Sequence, residues 1–460
     1  MNILNSKTDW VKQHLLPQLR HELHPTRLLP NLTVGLTTGA IGVLFDLSYA
    51  VLIFSGSLSS HLSPGIGLVL FSAASTRILV ALTSSLPGMV ADLSTVPTAI
   101  LAWSIGAIIK SLPPTTSAPE LWMTALATIA LTSLLTGAFL LLLGWLRLGK
   151  LVRSMPNAVI GGFIASTGWL LVKGAFKLMT DRPLELAQLP VLLQAHVLMQ
   201  WLPGLLLALY LLLISHLRSH PLILSASLFG SIALFYILLS LSGTSAAQAS
   251  NQGWTLNIAA TPSGHSSHSH FLDLSLLSQV HWSAIADQWM CLGTVGVTAA
   301  ISLLMNVSSL KLVTQQEIDT NRELTIAGTA NLAIGLFGGI LSFHSLSKSM
   351  LAHKMGSNRL ATLIDAGVFL VVSTLGASLL SYCPKPVLGG LLLFLGLSLL
   401  IEWVVVAGFK LSLRDYLVVQ VVLVVSATVG FLQGLTVGWM AAIGLVAIGW
   451  GQTQLGKSRT

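Results

Sequence analysis

The stretch Phe337-Gly-Gly-Ile-Leu-Ser-Phe-His-Ser-Leu-Ser-Lys-Ser-Met-Leu-Ala-His-Lys354 joins two glycines to a polar run that apolar segments flank on both sides. In a chain as apolar as this one, such flanks place the run at membrane depth. Broken backbone at that depth is tolerated only where it lines a cavity. The free N–H groups and the dipole of a half-helix N-terminus form an anion site, and Lys348 adds a full charge. The stretch therefore predicts half of a transport site.

Composition indicates an all-α polytopic membrane protein. Of the 460 residues, 53% are hydrophobic and only 8% are charged, whereas about a quarter of the residues in a soluble domain are charged. Fourteen apolar runs between residues 32 and 450 predict about fourteen transmembrane segments surrounded by membrane lipid. The net charge of +8 is expected to report Lys and Arg in cytoplasmic loops, so no nucleic-acid partner is predicted.

The basic residues predict the orientation of the chain. With both termini in the cytoplasm, sixteen Lys and Arg residues fall on the cytoplasmic side and four outside, as the positive-inside rule requires. No targeting segment is recognised, so a bacterial inner membrane is the simplest location. The predicted division is a cytoplasmic N-terminal segment (1–30), a first repeat (31–242), an external polar loop (243–284), a second repeat (285–452) and a cytoplasmic tail (453–460).

An internal repeat organises the segments. Pro156-Asn-Ala-Val-Ile-Gly-Gly162 recurs as Pro384-Lys-Pro-Val-Leu-Gly-Gly390, at a shift of 228 residues. Seven segments separate the copies, and an odd number inverts the second copy relative to the first. This predicts a seven-plus-seven inverted repeat, the plan of many secondary transporters, with the substrate at the midplane between discontinuous helices. The alternative is a coincidental glycine packing motif.

The repeat predicts a partner for the half-helix of the tenth segment. Ser84-Ser-Leu-Pro-Gly-Met-Val-Ala-Asp92 in the third segment is suitable, because Pro87-Gly88 breaks the backbone before an apolar run that reaches Ile109. Two half-helices would then direct their N-termini at each other across the membrane centre.

Two acids are placed to face that centre, Asp46 in the first segment and Asp92 in the third. A carboxylate at membrane depth is costly and therefore a candidate for function. The structural alternative is that each acid caps a broken helix or pairs with Lys348 or Arg77. His344, near the start of the tenth segment, could likewise meet a substrate or proton, or be a hydrogen-bonded structural residue.

Other patterns exclude several classes of function. The sequence has no Walker motif, zinc pattern or nucleophile constellation, so neither an enzyme nor a cofactor is predicted. His265, His268 and His270 could bind a metal, but a polar loop rich in Ser and Gly is the better interpretation, and no metal site is predicted. Energy must then come from an ion gradient, with H⁺ or Na⁺ as the coupling ion, or transport is passive exchange.

Over roughly residues 30–450 the chain resembles the SulP (sulfate permease) family of anion transporters. Asp319-Thr-Asn-Arg-Glu-Leu-Thr-Ile-Ala-Gly-Thr-Ala-Asn331 is similar to the family's Asn-x-Glu-Leu signature. Ser345-Leu-Ser-Lys-Ser349 is similar to the Ser-x-Ser-Arg-Ser at the start of its tenth segment. The Pro156 and Pro384 motifs resemble those of its fifth and twelfth segments.

The resemblance implies a core subdomain (segments 1–4 and 8–11) that moves against a gate subdomain (segments 5–7 and 12–14), and a homodimer. It also implies an anion held between the third and tenth segments. The substrate-binding residues carried over are Pro87, Gly88, Met89, Ser345, Ser347 and Lys348.

The chain departs from the family pattern at three places. Asn306 stands where the family carries a carboxylate for cation coupling, and Asp46 stands where it carries proline. The chain ends at Thr460, so the family's C-terminal STAS domain is expected to be naturally absent or removed. Asp46 or Asp92 could replace the acid missing at Asn306. With His344, which lies near the start of the tenth segment, Asp46, Asp92 and Asn306 are the candidates for coupling.

Three hypotheses on function follow. The leading one is a secondary transporter of a small anion of the sulfate or bicarbonate class, by elevator-type motion, with proton coupling as one option. The rival rests on charge, because Asp46, Asp92 and Lys348 together carry −1, and an unpaired charge at low dielectric is costly. Such a site favours a cationic or zwitterionic solute such as an amino acid. The third is a channel-like membrane protein without coupling.

Overall fold

The computed structural model describes residues 22–150, 157–217, 221–256, 274–356, 358–375 and 381–430, with separate residues up to 444. Helices make up almost all of it. We number the helices that correspond to predicted segments in chain order: α1 Pro25–Phe54, α2 Leu62–Thr83, α3 Thr95–Ser111, α4 Ala118–Trp145, α5 Asn157–Thr180, α6 Ala195–Leu217, α7 Pro221–Leu241, α8 Trp289–Thr314, α9 Thr320–Leu336, α10 Leu346–Lys354, α11 Arg359–Leu375, α12 Lys385–Leu400 and α13 Leu413–Thr428.

Shorter elements connect these helices. A π-helix at Ile401–Val406 and a helical turn at Ala407–Lys410 continue α12. The remaining short elements are the 3₁₀ helices Gly56–His61, Leu148–Lys150, Leu186–Gln188 and Leu274–Gln279, and the α-helices Leu189–Leu192, Ala246–Asn251 and Trp282–Ala286.

The all-α membrane fold is confirmed, although not every predicted boundary is tested. Within the described ranges, six helices are long and apolar enough to cross a membrane. The predicted fourteenth segment, 435–450, lies mostly outside the described residues, so the count of fourteen stays a prediction. Residues 1–21, 257–273 with the three loop histidines, and 453–460 also lie outside them. Helix α1 begins at Pro25, before the predicted boundary at residue 31, because proline suits the first turn of a helix.

The third and tenth segments are half-helices, as predicted. Helix α3 has 17 residues and α10 has 9. At 1.5 Å per residue these helices span about 26 Å and about 14 Å, less than the ~30 Å hydrocarbon layer. A two-residue strand precedes each, β1 at Ala91–Asp92 and β2 at Phe343–His344.

The two strands pair antiparallel, with Ala91 opposite His344 and Asp92 opposite Phe343. Two further bonds extend the pairing into α10. Ser345 N donates to Val90 O (2.8 Å), and Val90 N donates to Ser349 Oγ (2.9 Å). The starts of α3 and α10 are thereby fixed beside each other.

Helix contacts occur in the pairs that the predicted inverted repeat requires. Helix α4 packs on α9 as α11 packs on α2, and α6 packs on α12 as α13 packs on α5. In the central α5–α12 pair, Gly168 and Gly396 are separated by the repeat shift of 228 residues. A Cβ added to Gly168 would lie 2.8 Å from Gly396 O, and one added to Gly396 would lie 2.7 Å from Gly168 O. These glycines permit close helix packing; the repeat itself stays a prediction.

Candidate functional site

Five charged side chains converge where β1 meets the start of α10. They come from five elements of the predicted core subdomain: Asp46 (α1), Arg77 (α2), Asp92 (β1), Lys348 (α10) and Asp365 (α11). We call this group the central cluster.

Arg77 is the centre of the cluster. Its Nη2 donates to Asp92 Oδ1 at 2.5 Å and to Asp46 Oδ2 at 3.5 Å, and its Nε lies 2.8 Å from Asp365 Oδ1. The guanidinium carbon lies 3.7 Å from the centroid of the Phe369 ring, a cation–π contact. Arg77 is fully buried, and a buried charge is tolerated only when it is paired in this way.

Lys348 supplies the second positive charge. Its Nζ lies 2.7 Å from Asp92 Oδ2, so Asp92 bridges Lys348 and Arg77. The Asp92 side chain is 16% exposed and that of Lys348 is 10% exposed, whereas the side chains of Asp46, Arg77 and Asp365 are fully buried. Within the cluster, the Asp92–Lys348 pair is therefore the part that is open to solvent.

The cluster has an excess of negative charge. Three carboxylates and two bases give a formal charge of −1. Both bases already contact carboxylates, so neither is free to neutralise an added anion without giving up a partner. The cluster therefore accommodates an added cationic group more readily than an added anion.

The two helix N-termini add positive potential beside the cluster. Ser94 precedes α3 and Ser345 precedes α10, and in this described part of the chain neither side chain caps its own helix. Thr95, the first residue of α3, shares a 2.7 Å hydrogen bond with the Tyr49 hydroxyl. First-turn N–H groups without a side-chain cap are suited to bind a carboxylate or another anion.

The residues predicted from the third segment lie before the helix start. Pro87 and Gly88 form a turn ahead of β1, in which Pro87 is exposed and Gly88 is buried. Gly88 has the positive φ of +81° that glycine tolerates. Met89 is fully buried, with its Sδ 3.5 Å from Ser349 Oγ. The structure thus places Ser94 and Thr95 at the N-terminus that was expected at residues 87–89, because β1 intervenes.

The residues predicted from the tenth segment lie at its N-terminus. Ser345 is half-buried in the N-cap position, and Ser347 is exposed in the first turn. Lys348 belongs to the central cluster. The structure brings Asp46, Asp92 and Lys348 together, as the charge argument requires.

Asn306 and His344 lie outside the central cluster. Asn306 Nδ2 donates to His344 O (2.8 Å) and so supports β2. His344 Nε2 lies 2.6 Å from Glu323 Oε2 on α9. Glu323 Oε1 accepts hydrogen bonds from Ser85 N (2.7 Å) and Ser85 Oγ (2.6 Å). We call Glu323, His344 and Ser85 the lateral cluster; His344 and Glu323 are both fully buried.

Sequence reasoning missed Asp365 and Glu323 and named Arg77 only as a partner for an acid. The signal that identified Asp46, an acid inside an apolar run, is also present at Asp365. Glu323 lies within the quoted Asn-Arg-Glu-Leu motif. No group of three or more His, Cys, Asp or Glu residues that could hold a metal occurs in the described ranges.

Fold and site together define a multi-pass membrane protein with a charged cluster where two discontinuous helices meet. Residues 28–422 match the Sulfate permease family, and the chain belongs to that family.

Two curated relatives bear on the substrate. The chain is 25% identical over 330 residues to the vacuolar basic amino acid transporter VSB1 of Saccharomyces cerevisiae, covering 70% of this chain and 32% of VSB1. It is 24% identical over 443 residues to the bicarbonate transporter BicA of Picosynechococcus sp., covering 92% of this chain and 71% of BicA. The chain thus spans about a third of the length of VSB1.

Solved structures share the fold. The transmembrane domain of cyanobacterial BicA matches with a TM-score of 0.62 at 21% identity, over 90% of this chain and 98% of that one. The murine anion transporter Slc26a9 in its inward-facing state matches with a TM-score of 0.63 at 18% identity, over 91% and 68% of the two chains.

Proposed function

We propose that this protein is a secondary transporter of a zwitterionic amino acid with a cationic side chain, such as arginine or lysine. One observation carries the proposal: the central cluster has a formal charge of −1, and both of its bases contact carboxylates. A substrate with a net charge of +1 brings the total to zero. The similarity to a basic amino acid transporter supports the same class.

The geometry suits both ends of such a substrate. Its carboxylate would bind the first-turn N–H groups of α3 and α10, beside Thr95 and Ser345. The cationic group of its side chain would bind Asp92, the accessible acid of the cluster. Specificity then follows from desolvation, because a neutral analogue would leave the buried negative charge unpaired.

A small inorganic anion is the second candidate. The paired half-helix N-termini and the similarity to a bicarbonate transporter support it. The cluster would then require protonation of one carboxylate, because anion binding would otherwise raise the negative charge at low dielectric. This candidate therefore implies transport of a proton with the anion, and it disfavours a dianion such as sulfate.

Elevator-type motion is consistent with the placement of the charges. All five members of the central cluster come from α1, α2, β1, α10 and α11, which belong to the proposed core subdomain. Among the described residues, the proposed gate helices α5–α7, α12 and α13 contribute none of them. A core that carries the whole site can move as one body. We also propose a homodimer in a bacterial inner membrane, with both termini cytoplasmic and H⁺ or Na⁺ as coupling ion.

A thermal-shift panel on the purified protein tests the substrate class. The panel comprises arginine, lysine, alanine, bicarbonate and sulfate at pH 5.5 and 7.5. We expect arginine and lysine to raise Tm, more at pH 7.5, because a ligand of the folded state stabilises it and ionised aspartates bind a cation. Stabilisation by bicarbonate alone, stronger at pH 5.5, would contradict the proposal and select the second candidate.

A further inference from the structure

We propose that Lys348 is an internal cation that occupies Asp92 when no substrate is bound and so lets the empty carrier return across the membrane. The inference rests on the proposed function and concerns how the same site behaves without cargo. It gives Lys348 a role opposite to that of an anion ligand, because its ammonium competes with the substrate's cationic group.

The two bases of the central cluster are held very differently. Arg77 contacts three carboxylates and the Phe369 ring. Lys348 has a single ion pair, to Asp92, and its Nζ has no further hydrogen-bond partner in the part of the chain that the structure describes. Arg77 is thus a fixed part of the site, whereas Lys348 is held at one point on a flexible side chain.

The surroundings of Lys348 leave room for its ammonium group. A Cβ added to Gly42 of α1 would lie 2.5 Å from Lys348 Nζ and 2.9 Å from Phe369 Cζ, so a side chain at this position would force the ammonium to shift. Asp46 follows Gly42 by one helical turn on the same face of α1. Asp46 Oδ1 has no hydrogen-bond partner among the described residues, so it offers an acceptor to which the displaced ammonium can turn.

The position of Lys348 in α10 requires a partner for its positive charge. Lys348 is the third residue of α10, and a cation in the first turn faces the positive end of the helix dipole. Without a partner this placement is unfavourable, and Asp92 is that partner.

Charge bookkeeping shows what the lysine does. With Lys348 present, the empty cluster carries −1, and a substrate of net charge +1 brings it to zero. Without the lysine charge, the loaded cluster carries −1 and the empty one −2. A substrate-loaded cluster without the lysine charge therefore carries −1, the same charge as the empty wild-type cluster. The empty cluster without the lysine charge carries −2, one uncompensated charge more than the empty wild type.

The test compares two transport modes in proteoliposomes with radiolabelled arginine. Net uptake into arginine-free vesicles requires return of the empty carrier, whereas exchange against internal arginine does not. For Lys348→Met we expect the ratio of net uptake to exchange to fall at least about tenfold, because an uncompensated charge at low dielectric strongly disfavours the empty return. Lys348→Arg keeps the charge and should retain a ratio well above that of Lys348→Met.

A second variant makes the result independent of any folding defect in Lys348→Met. Gly42→Ala crowds the Lys348 ammonium and the edge of the Phe369 ring, and its displacement of the ammonium should lower the same ratio. Gly67→Ala on α2 is the matched control, because a Cβ at Gly67 meets no atom within 4 Å. Size-exclusion profiles and Tm values verify that each variant is folded.

The outcomes separate this inference from the proposed function. Equal loss of both modes in Lys348→Met, with Lys348→Arg active, would make Lys348 a substrate ligand and overturn the inference. An unchanged ratio in Lys348→Met would overturn it as well. Absence of arginine exchange in the wild type would instead overturn the proposed function, and that result is obtained before any variant is measured.

Discussion

The central and lateral clusters lie on either side of the same two-stranded pair but differ in accessibility and in balance of charge. In the central cluster three acids share two bases, and Asp92 reaches solvent. In the lateral cluster one acid, Glu323, binds three donor groups, from Ser85 and His344, and both titratable side chains are fully buried. A buried charge at membrane depth is therefore not enough to mark a substrate site. Excess charge together with solvent access distinguishes the central cluster, the proposed substrate site, from the lateral cluster.

The largest effect is expected at the accessible acid. Asp92→Asn removes the carboxylate that bridges Arg77 and Lys348, leaving the cluster without its proposed contact to the substrate. We expect arginine uptake in proteoliposomes to fall about 100-fold, equivalent to losing one partly buried charged contact of about 3 kcal/mol.

Asp181→Asn is the matched control for that substitution. Asp181 pairs with Lys385 outside the cluster, and its side chain is 77% exposed. Its removal should leave uptake close to wild type, because exposed ion pairs contribute little. Equal uptake by Asp92→Asn and Asp181→Asn would show that the central cluster does not bind the substrate.

The lateral cluster should respond in stability instead of affinity. Glu323→Gln weakens the contacts to His344 and Ser85, and we expect a loss of about 3 kcal/mol of stability, because it removes a buried carboxylate that accepts several hydrogen bonds. The arginine KM of the folded protein should stay near wild type.

The double variant with His344→Gln sharpens this result. If Glu323 and His344 act on each other, the two stability losses should be less than additive, with a coupling energy of about 1–3 kcal/mol. A changed KM with unchanged Tm would assign the lateral cluster to substrate binding or proton coupling.

The pH dependence of substrate affinity also distinguishes the two substrate classes. Protonation of any carboxylate in the central cluster removes the charge that attracts a cation. The apparent affinity for arginine should therefore weaken several-fold between pH 7.5 and 5.5, measured as KM for uptake at a fixed membrane potential. Tighter arginine binding at pH 5.5 would contradict the account.

The smallest effect is expected at Glu22, which lies before α1 and accepts a 2.7 Å hydrogen bond from Leu360 N at the start of α11. Burial raises its pKa above the ordinary value of 4.5. A raised folded-state pKa means that this residue lowers stability as pH rises from about 4.5 through that pKa. Relative to wild type, Glu22→Gln should gain a few tenths of a kcal/mol over this window; a constant difference in Tm across pH would contradict it.

Much of this architecture was predictable because its signals are local. Composition sets the membrane class, and the breaks at Pro87-Gly88 and Gly338-Gly339 predict the half-helices. The start of α3 was not predictable, because β1 forms only by pairing with β2, which is distant in sequence.

The roles of individual polar side chains depended on helix rotation and tertiary packing. Asn306 and His344 were coupling candidates because of their positions in the sequence. In the structure their side chains contact β2 and Glu323. Asp365 carries the same local signal as Asp46, but its ion pair with Arg77 arises from the packing of α11 on α2.

The most direct test of the central claim is competition during arginine uptake by the wild-type protein in proteoliposomes at pH 7.5. The central claim is that the −1 charge of the central cluster selects a cationic amino acid. We predict saturable arginine uptake that excess lysine inhibits and excess bicarbonate or sulfate does not. Bicarbonate uptake that arginine fails to inhibit, with no arginine uptake, would contradict the account and make the helix N-termini alone the substrate site.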